Sequence, residues 1–171
     1  MLTGSKVTLR PLRPEEFELM RSAHARLSPV DPPDEGKDRR LLERIERSGH
    51  LVDGFFDLGI EAEGRLIGDV GARCGRSVMP PGVFEFGIEI YEEDDRGKGY
   101  GADAVELLTS HLIDRLRAER VQASTAIDNV AMRKVLERLG YREEGTLRGF
   151  MPNEDGGRDD YVLYALTRSD R

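Results

Sequence analysis

Apolar and polar residues alternate along several short segments of the chain, and this period of two predicts β-strands. The first such segment is Val7–Arg10. Phe55–Ile60 and Leu66–Ala72 flank a Glu63-Gly64 turn, which predicts a β-hairpin. Further strands are expected over Val83–Ile90, Val121–Ile127, Tyr141–Leu147 and Tyr161–Thr167.

The segment Val83–Ile90 alternates strictly, so its two faces are expected to differ in chemistry. Side chains two residues apart in a strand point to the same face. One face carries the apolar side chains, which are Phe84, Phe86, Ile88 and Ile90. The carboxylates of Glu85 and Glu89 are therefore expected to share the other face with Gly87.

Four other segments are expected to form helices, and the first of them carries Phe17, Met20, Ala23 and Leu27 at helical spacing. A helix is expected to open at Pro14, because proline suits the first turn and the acids after it suit the positive helix end. Pro29–Gly36 should break it, and a second helix should follow near Lys37–Ser48. A long helix with a buried stripe from Ala104 to Leu116 comes next. A shorter helix covers Asn129–Leu139, with Gly140 as its C-cap. A polar loop is expected from Met151 to Asp159.

These elements give the order β-α-α-β-β-β-α-β-α-β-β, without internal repeats or a break in composition. The length of 171 residues is that of one domain. The sequence therefore predicts one α/β domain over residues 1–171, with a mixed central sheet.

Charge and composition narrow the classes of function. The formal net charge is −7 and basic residues are interleaved with acidic ones, so neither a nucleic-acid partner nor a membrane partner is expected. The sequence shows no signal peptide and no apolar run of membrane-spanning length, which favours the cytoplasm. Cys74 is the single cysteine, and the histidines are scattered, so neither a disulfide nor a metal site is implied.

The segment Arg96-Gly97-Lys98-Gly99-Tyr100-Gly101 lies between a predicted strand and the long helix. Free N–H groups at a helix start favour an anion, and glycines let the backbone approach it closely. A phosphorylated ligand is therefore expected. The pattern of a Walker P-loop is absent. The glycine spacing matches a dinucleotide-binding turn, but such a turn belongs in the first βαβ unit and this one lies in the middle of the chain. An ordinary flexible turn is a further alternative.

The same segment resembles the pyrophosphate loop of the GNAT superfamily of N-acetyltransferases. Three further segments are similar to the Rim-type branch, which acetylates N-termini of ribosomal proteins. These segments are Val7–Leu12, the stretch from Asp128 to Tyr141, and Glu144–Arg148. Together with the order of elements, the resemblance covers nearly the whole chain and implies a GNAT-like fold.

The resemblance implies acetyl-CoA as cosubstrate and assigns residues to it. Backbone groups of Ile88, Glu89 and Ile90 would contact the pantetheine arm and the thioester. The pyrophosphate would lie on the N–H groups of Arg96, Gly97, Lys98, Gly99, Tyr100 and Gly101. Asn129 would hydrogen-bond the arm, although it also suits an N-cap role, and Arg133 would reach a phosphate.

Acetyl transfer to an amine needs a general base, because alkyl amines with pKa values of about 10.4 are mostly protonated at pH 7. Glu85 lies on the strand before the glycine loop, and for this position the resemblance implies the role of catalytic base. Glu89 is the second choice. The alternative for Glu85 is an exposed strand residue or a group that binds the cationic substrate.

The general acid is not identified. The Rim-type branch has serine where this chain has Met132, and many GNAT enzymes have tyrosine where it has Leu136. Neither methionine nor leucine can protonate a departing thiolate. With a thiol pKa of about 8.5, unassisted departure remains tolerable at neutral pH.

Three functions compete for this sequence. The acceptor is either a peptide α-amine or a cationic small molecule such as an aminoglycoside or polyamine, which the acidic segments Asp31–Glu35 and Glu154-Asp155 would attract. The third hypothesis is an acyl-CoA-binding module without useful catalysis. Tyr161 either lines the acceptor site or packs in the core, and a homodimer is possible.

Overall fold

The computed structural model describes residues 1–27, 36–75 and 79–171. Its strands are β1 (Leu2–Thr3), β2 (Thr8–Arg10), β3 (Phe55–Ala62), β4 (Arg65–Cys74), β5 (Val83–Ile90), β6 (Arg120–Ala126), β7 (Arg142–Pro152) and β8 (Arg158–Thr167). Its helices are α1 (Phe17–Leu27), α2 (Gly36–Arg47), α3 (Tyr100–Asp114) and α4 (Val130–Arg138). Among the described residues, none of the helices is long and apolar enough to cross a membrane.

Within the described ranges the strands form one eight-stranded sheet in the order β1-β2-β3-β4-β5-β6-β8-β7. β3 and β4 form the predicted antiparallel hairpin around the Glu63-Gly64 turn. The pairing of β5 with β6 is parallel, as a crossover through α3 requires. The predicted mixed α/β fold is thereby confirmed.

The parallel pairing of β5 with β6 is short. Its register joins Val83 to Arg120, Phe84 to Val121 and Glu85 to Gln122. The C-terminal half of β5 instead contacts β4, where a Cβ added at Gly68 would overlap the carbonyl oxygen of Glu89.

The chain divides into two compact units, and both β5 and α3 contribute to each of them. The first unit contains Met1–Arg73 and Gly87–Leu108, and the second contains Cys74–Phe86 and Thr109–Arg171. Asp31–Glu35, one of the predicted acidic segments, and the break expected between Pro29 and Gly36 lie outside the described residues, except for Gly36, where α2 begins.

The core of the first unit packs α1 and α2 against the sheet. Met20 and Ala23 of α1 are fully buried, and Leu41 and Ile45 of α2 are nearly so. Tyr91, which directly follows β5, joins the same cluster. The apolar spacing that predicted α1 therefore marks the face that this helix buries.

Three features differ from the sequence prediction. β1 is an additional short strand, which pairs with β2. The helix α3 ends at Asp114 instead of reaching Leu116, because Arg117 takes a left-handed backbone conformation with φ of 58°. The predicted loop from Met151 to Asp159 is shorter in the structure, since β7 and β8 extend to Pro152 and Arg158 and leave residues 153–157 as the connection.

Candidate active site

The glycine-rich segment forms a tight turn that leads directly into α3. Gly97 and Gly99 have φ values of 75° and 87°, a conformation that side chains with a Cβ rarely adopt. A Cβ at Gly97 would meet no atom of the described residues within 4 Å, so this side of the turn is open with respect to them. α3 begins at Tyr100, and the first amides of a helix have no partner within the helix itself. The turn therefore has the geometry of an anion site.

The N-terminal turn of the chain holds the start of α3. Asp103 accepts hydrogen bonds from the backbone N–H groups of Ser5, Lys6 and Val7 at 3.2, 2.7 and 2.9 Å. Although burial by itself would raise it, these bonds keep the pKa of Asp103 below its usual value. Asp103 also lies in the first helical turn, where the positive helix end favours a carboxylate.

Lys6 connects the same N-terminal turn to the glycine-rich segment. Its Nζ donates to the carbonyl oxygen of Lys98 at 2.6 Å. A Cβ at Gly99 would lie 2.9 Å from this Nζ. No local pattern in the sequence points to Lys6 as part of the site, because the contact joins residues 92 positions apart in the chain.

The charges next to the turn are partly paired. Asp95 is buried and accepts two hydrogen bonds from the guanidinium of Arg65, which lower its pKa. Lys98 Nζ lies 3.4 Å from the same carboxylate. Arg96 is exposed and donates to the carbonyl oxygen of Ile90 at 3.2 Å. The two basic side chains that are predicted to lie beside the phosphate, Arg96 and Lys98, therefore belong to the turn.

The C-terminal half of β5 lies in the same unit as the glycine-rich turn. Ile88, Glu89 and Ile90 are half-buried. The side chain of Ile88 lies 3.9 Å from the position of a Cβ at Gly101, so β5 packs close to the start of α3. The structure thus brings the predicted arm-binding residues and the predicted pyrophosphate loop together.

Four side chains around Glu89 form a charged cluster that the sequence did not predict. His24 Nε2 of α1 lies 2.7 Å from Asp69 Oδ2 of β4 and 3.5 Å from Glu89 Oε2. The hydroxyl of Tyr91 donates to Asp69 Oδ2 at 2.7 Å, and Arg44 donates to Asp69 Oδ1 at 2.6 Å.

The sequence held one signal for this cluster. Asp69 is a buried carboxylate inside an apolar strand, and such a group must have charged or hydrogen-bonding partners. Which residues supply them depends on the packing of α1 and α2 on the sheet, which the spacing of residues does not reveal. The histidines appeared scattered in sequence, yet His24 lies in a group whose possible ligand atoms are all within 4.8 Å of one another.

The second unit holds the other predicted site residues, and Glu85 is the first of them. Glu85 is half-buried, and its Oε2 accepts a hydrogen bond from Gln122 of β6 at 3.0 Å. This bond joins the last residue pair of the parallel β5–β6 register.

Asn129 and Arg133 have structural partners within the second unit. Asn129 caps α4, because its side-chain oxygen accepts the N–H of Met132 at 3.1 Å. The guanidinium of Arg133 donates to the hydroxyl of Tyr164 at 3.2 Å and to the carbonyl oxygen of Ile127 at 3.1 Å. The cap role that the sequence allowed for Asn129 is confirmed.

Two further positions that bear on the chemistry lie in the same unit. Leu136 is fully buried in the core, whereas Met132 is half-buried. Tyr161 packs its ring against Phe150, with 5.4 Å between the ring centroids.

Two open cavities lie in the first unit. The larger one, of about 800 Å³, is lined by both charged side chains of the turn, Arg96 and Lys98, and by the acidic run Glu92–Asp95. The smaller one, of about 400 Å³, includes Glu15 and Glu16. Tyr91 contributes to both cavities. Volumes in this range suit small organic ligands.

The sequence is similar to known proteins over most of its length. Residues 6–142 match the family model described as an acetyltransferase (GNAT) domain. A curated relative is the "probable N-acetyltransferase YjcK" of Bacillus subtilis, which is 25% identical over 182 residues, covering 99% of each chain.

Solved structures share the fold at low sequence identity. The ribosomal-protein-S5-alanine acetyltransferase of Vibrio fischeri superposes with a TM-score of 0.78 at 22% identity, covering 98% of this chain and 96% of that one. Mycobacterium smegmatis RimJ in complex with CoA-disulfide gives 0.74 at 19%, covering 96% and 83%. A chimera of Vibrio cholerae spermidine N-acetyltransferase SpeG and hSSAT gives 0.77 at 20%, covering 96% and 97%.

These neighbours share the predicted fold, and two of them have Rim-type names. The family match covers most of the chain and, together with the relatives named as N-acetyltransferases, makes the protein an acyltransferase enzyme. The chain belongs to the GNAT family of acetyltransferases.

Proposed function

We propose that this enzyme transfers the acetyl group of acetyl-CoA directly to a primary amine, with both substrates bound at once. The observation that carries the proposal is the turn from Arg96 to Gly101. It places two glycines with positive φ and two basic side chains at the start of α3. A diphosphate is the kind of group that such a turn accepts.

Each candidate residue has a role in this proposal. The amides from Arg96 to Gly101 hold the pyrophosphate, and Arg96 and Lys98 add positive charge. Backbone groups of Ile88–Ile90 hold the pantetheine arm and the thioester. Support comes from the proximity of Ile88 to the start of α3 and from the close contact of Glu89 with β4.

Asn129 and Arg133 are proposed as additional contacts of acetyl-CoA. Asn129 uses its side-chain oxygen as a cap, so its amide nitrogen supplies the donor that the arm requires. The guanidinium of Arg133 already has partners, and contact with a phosphate would require it to exchange one of them.

A carboxylate of β5 is proposed to act as the general base. Glu85 remains the first candidate that the resemblance provides, and Glu89 the second. Glu85 lies on the strand that leads to the glycine-rich turn, and its carboxylate accepts a hydrogen bond from the neutral side chain of Gln122.

The preferred acceptor is a peptide α-amine, as the Rim-type resemblance implies. A cationic small molecule is the second candidate, because the formal net charge is −7 and the cavities of the first unit carry several carboxylates. Glu154 and Asp155, which the sequence singled out, lie in the turn between β7 and β8.

The proposal is tested by calorimetric titration with CoA and acetyl-CoA, followed by an assay of thiol release with peptides, aminoglycosides and polyamines. Cys74 is a free thiol of the enzyme itself and would add to the thiol that the assay detects. The assay therefore uses the Cys74→Ser variant, with a blank reaction that contains no amine. Release with one class of amine identifies the acceptor. Binding of acetyl-CoA without release from any amine would support a non-catalytic acyl-CoA-binding module instead, and absence of binding would overturn the proposal.

Two remaining expectations are also proposals. A homodimer is tested by light scattering after size-exclusion chromatography, and a cytoplasmic location by fractionation of cells that produce the protein.

A further inference from the structure

The cluster of His24, Asp69, Glu89 and Tyr91 holds two buried or half-buried carboxylates in very different surroundings. Asp69 is 4% exposed, and both of its oxygens accept hydrogen bonds. Burial would raise its pKa, but the bond from His24 and the charge of Arg44 lower it to about 2. Asp69 is therefore a permanent anion that orients its neighbours.

Glu89 is in the opposite situation. Its Oε2 is buried and has no hydrogen-bond partner among the residues that the structure describes, and the His24 ring lies 3.5 Å from it. Burial, followed by the negative charge of Asp69, raises the pKa of Glu89. A carboxylate with a raised pKa is a better proton acceptor than an ordinary surface glutamate.

His24 connects the two carboxylates. Burial would lower the pKa of the imidazole, but the hydrogen bond and charge of Asp69 outweigh this effect and raise it. The short contact with Asp69 keeps a proton on Nε2, the atom that also faces Glu89. The charge of the ring therefore acts directly on Glu89.

The remaining charged groups around the cluster are arginines and an aspartate. Arg44 of α2 donates to Asp69 and to Asp57, and Arg47 donates to the other oxygen of Asp57. Tyr91 lies with its ring edge to His24, 6.0 Å between centroids. These groups balance Asp57 and Asp69, and the charge of Glu89 is opposed by His24 and also by Arg44.

A divalent cation is a less suitable occupant. The ligand-type atoms are close enough, but the oxygens of Asp69 already accept from Arg44, Tyr91 and His24. A metal ion would have to displace these donors and lie beside a guanidinium. The arrangement suits a proton better than a metal.

On the basis of the acetyl transfer proposed above, we propose that Glu89 is the catalytic base and that His24, held by Asp69, is a positioning residue that sets the pH at which Glu89 works. The backbone of Glu89 is part of the segment assigned to the thioester arm, so its side chain branches from the strand at the point of transfer. Glu85, four residues earlier on the same strand, is the rival candidate.

The proposed transfer removes two protons from the acceptor nitrogen. Glu89 carboxylate takes one proton from the acceptor ammonium, and the neutral amine attacks the thioester carbonyl carbon. The C–N bond forms, the C–S bond breaks with its electron pair on sulfur, and the nitrogen loses its second proton. One of the two protons protonates the CoA thiolate, and the other leaves to solvent, which restores Glu89.

The first test compares pH–rate profiles of the wild type with those of Glu89→Gln, Glu85→Gln and His24→Gln. Glu89→Gln is expected to lower kcat at pH 7 by roughly 10²-fold without changing the KM for acetyl-CoA. The loss should shrink as the pH approaches the pKa of the amine, because neutral amine is then present without a base. Glu18→Gln and His50→Gln, both exposed sites of the same unit, are the matched controls.

His24→Gln tests the positioning role. The His24 charge lowers the pKa of Glu89, so its removal should move the acidic limb of kcat/KM to higher pH. A uniform loss of kcat at every pH would show a structural role only. His24→Asn is the second variant, and the melting temperature of each protein shows whether it is folded.

The second test does not depend on turnover. NMR titration of the His24 ring should show an additional titration step from Glu89 in the wild type that disappears in Glu89→Gln. If this step is present but the wild type acetylates no amine, the proposed function fails while the coupling stands. Full activity of Glu89→Gln, a 10²-fold loss in Glu85→Gln instead, or absence of the NMR step would overturn this proposal.

Discussion

The carboxylate of Asp103 accepts the backbone N–H of Lys6 at 2.7 Å, which joins the first turn of α3 to the N-terminal turn of the chain. The neighbouring Gly4 has no room for a side chain, because a Cβ there would lie 2.5 Å from a carboxylate oxygen of Asp103. The glycine-rich turn is thus held in place by residues at the other end of the first unit's sequence.

Asp103→Ala should loosen this attachment. The variant loses several charge-assisted hydrogen bonds, so we expect unfolding to become easier by about 1–3 kcal/mol. The affinity for CoA should also fall, because the turn loses its fixed position. Calorimetric titration and denaturant unfolding measure both effects. Asp114→Ala, which removes an exposed carboxylate at the other end of the same helix, should leave CoA affinity unchanged.

Gly99→Ala tests whether the turn binds CoA. Gly99 and Gly64 have similar φ values of 87° and 77°, so alanine at either position should destabilise the protein by about 1–2 kcal/mol. Of the two glycines, Gly99 belongs to the proposed diphosphate site, whereas a Cβ at Gly64 meets no atom of the described ranges within 4 Å. Titration with CoA should show weakened binding for Gly99→Ala alone. Equal affinities of the two variants would remove the turn from the site.

Asn129→Asp separates capping from substrate binding. Aspartate is as good an N-cap as asparagine, so the stability of this variant should stay close to that of the wild type. Asn129→Ala, in contrast, should lose about 1 kcal/mol. If the side-chain amide donates to the pantetheine arm, both variants raise the KM for acetyl-CoA. A normal KM in Asn129→Asp would leave Asn129 with the cap role alone.

Glu89→Gln should stabilise the protein at alkaline pH. The pKa of Glu89 is raised in the folded state, so its ionisation opposes folding above the unfolded pKa of about 4.3. The variant removes this unfavourable ionisation, and its advantage should be present at pH 8 and vanish near pH 4. Urea unfolding at both pH values measures the difference. A variant less stable than the wild type at pH 8 would show that the native structure stabilises the ionised carboxylate of Glu89.

Asp69→Asn should have the opposite effect on stability. The native pKa of about 2 lies below the unfolded value of about 3.9, so ionised Asp69 contributes roughly 2–3 kcal/mol. This contribution is present above pH 4 and is lost as the pH falls through 2. The variant should therefore be destabilised at neutral pH, because Arg44 and His24 lose their anion, and less so near pH 2. The free energy of unfolding of both proteins is measured across this pH range. A difference between them that is the same at every pH would contradict the prediction.

The regular elements were predictable because their signals are local. The alternation in Val83–Ile90, the spacing from Phe17 to Leu27 and the glycine pattern after Asp95 each lie within one segment, and the structure has a strand, a helix and a tight turn there. The errors concern ends of elements: Arg117 ends α3 early, and the β7–β8 hairpin continues into a segment that has the composition of a loop.

Residue roles were less accessible than elements. The hydrogen bond of Asn129 to Met132 spans three residues and followed from cap chemistry. The contacts of Lys6 with Lys98 and of His24 with Asp69 span 92 and 45 residues. No periodicity or local motif relates positions so far apart, so these partners remained outside the prediction.

The sequence by itself determined the kinds of elements, their order, and the family to which they belong, because hydrophobic period, turn chemistry and the glycine-rich motif are properties of neighbouring residues. Only the tertiary structure decided which charges meet. The packing of α1 and α2 on the sheet brings His24 and Arg44 to Asp69, and within the described part of the chain it leaves an oxygen of Glu89 buried without a hydrogen bond. The proton affinity of a carboxylate depends on burial and on charges a few ångströms away, and those distances exist only after the chain has folded.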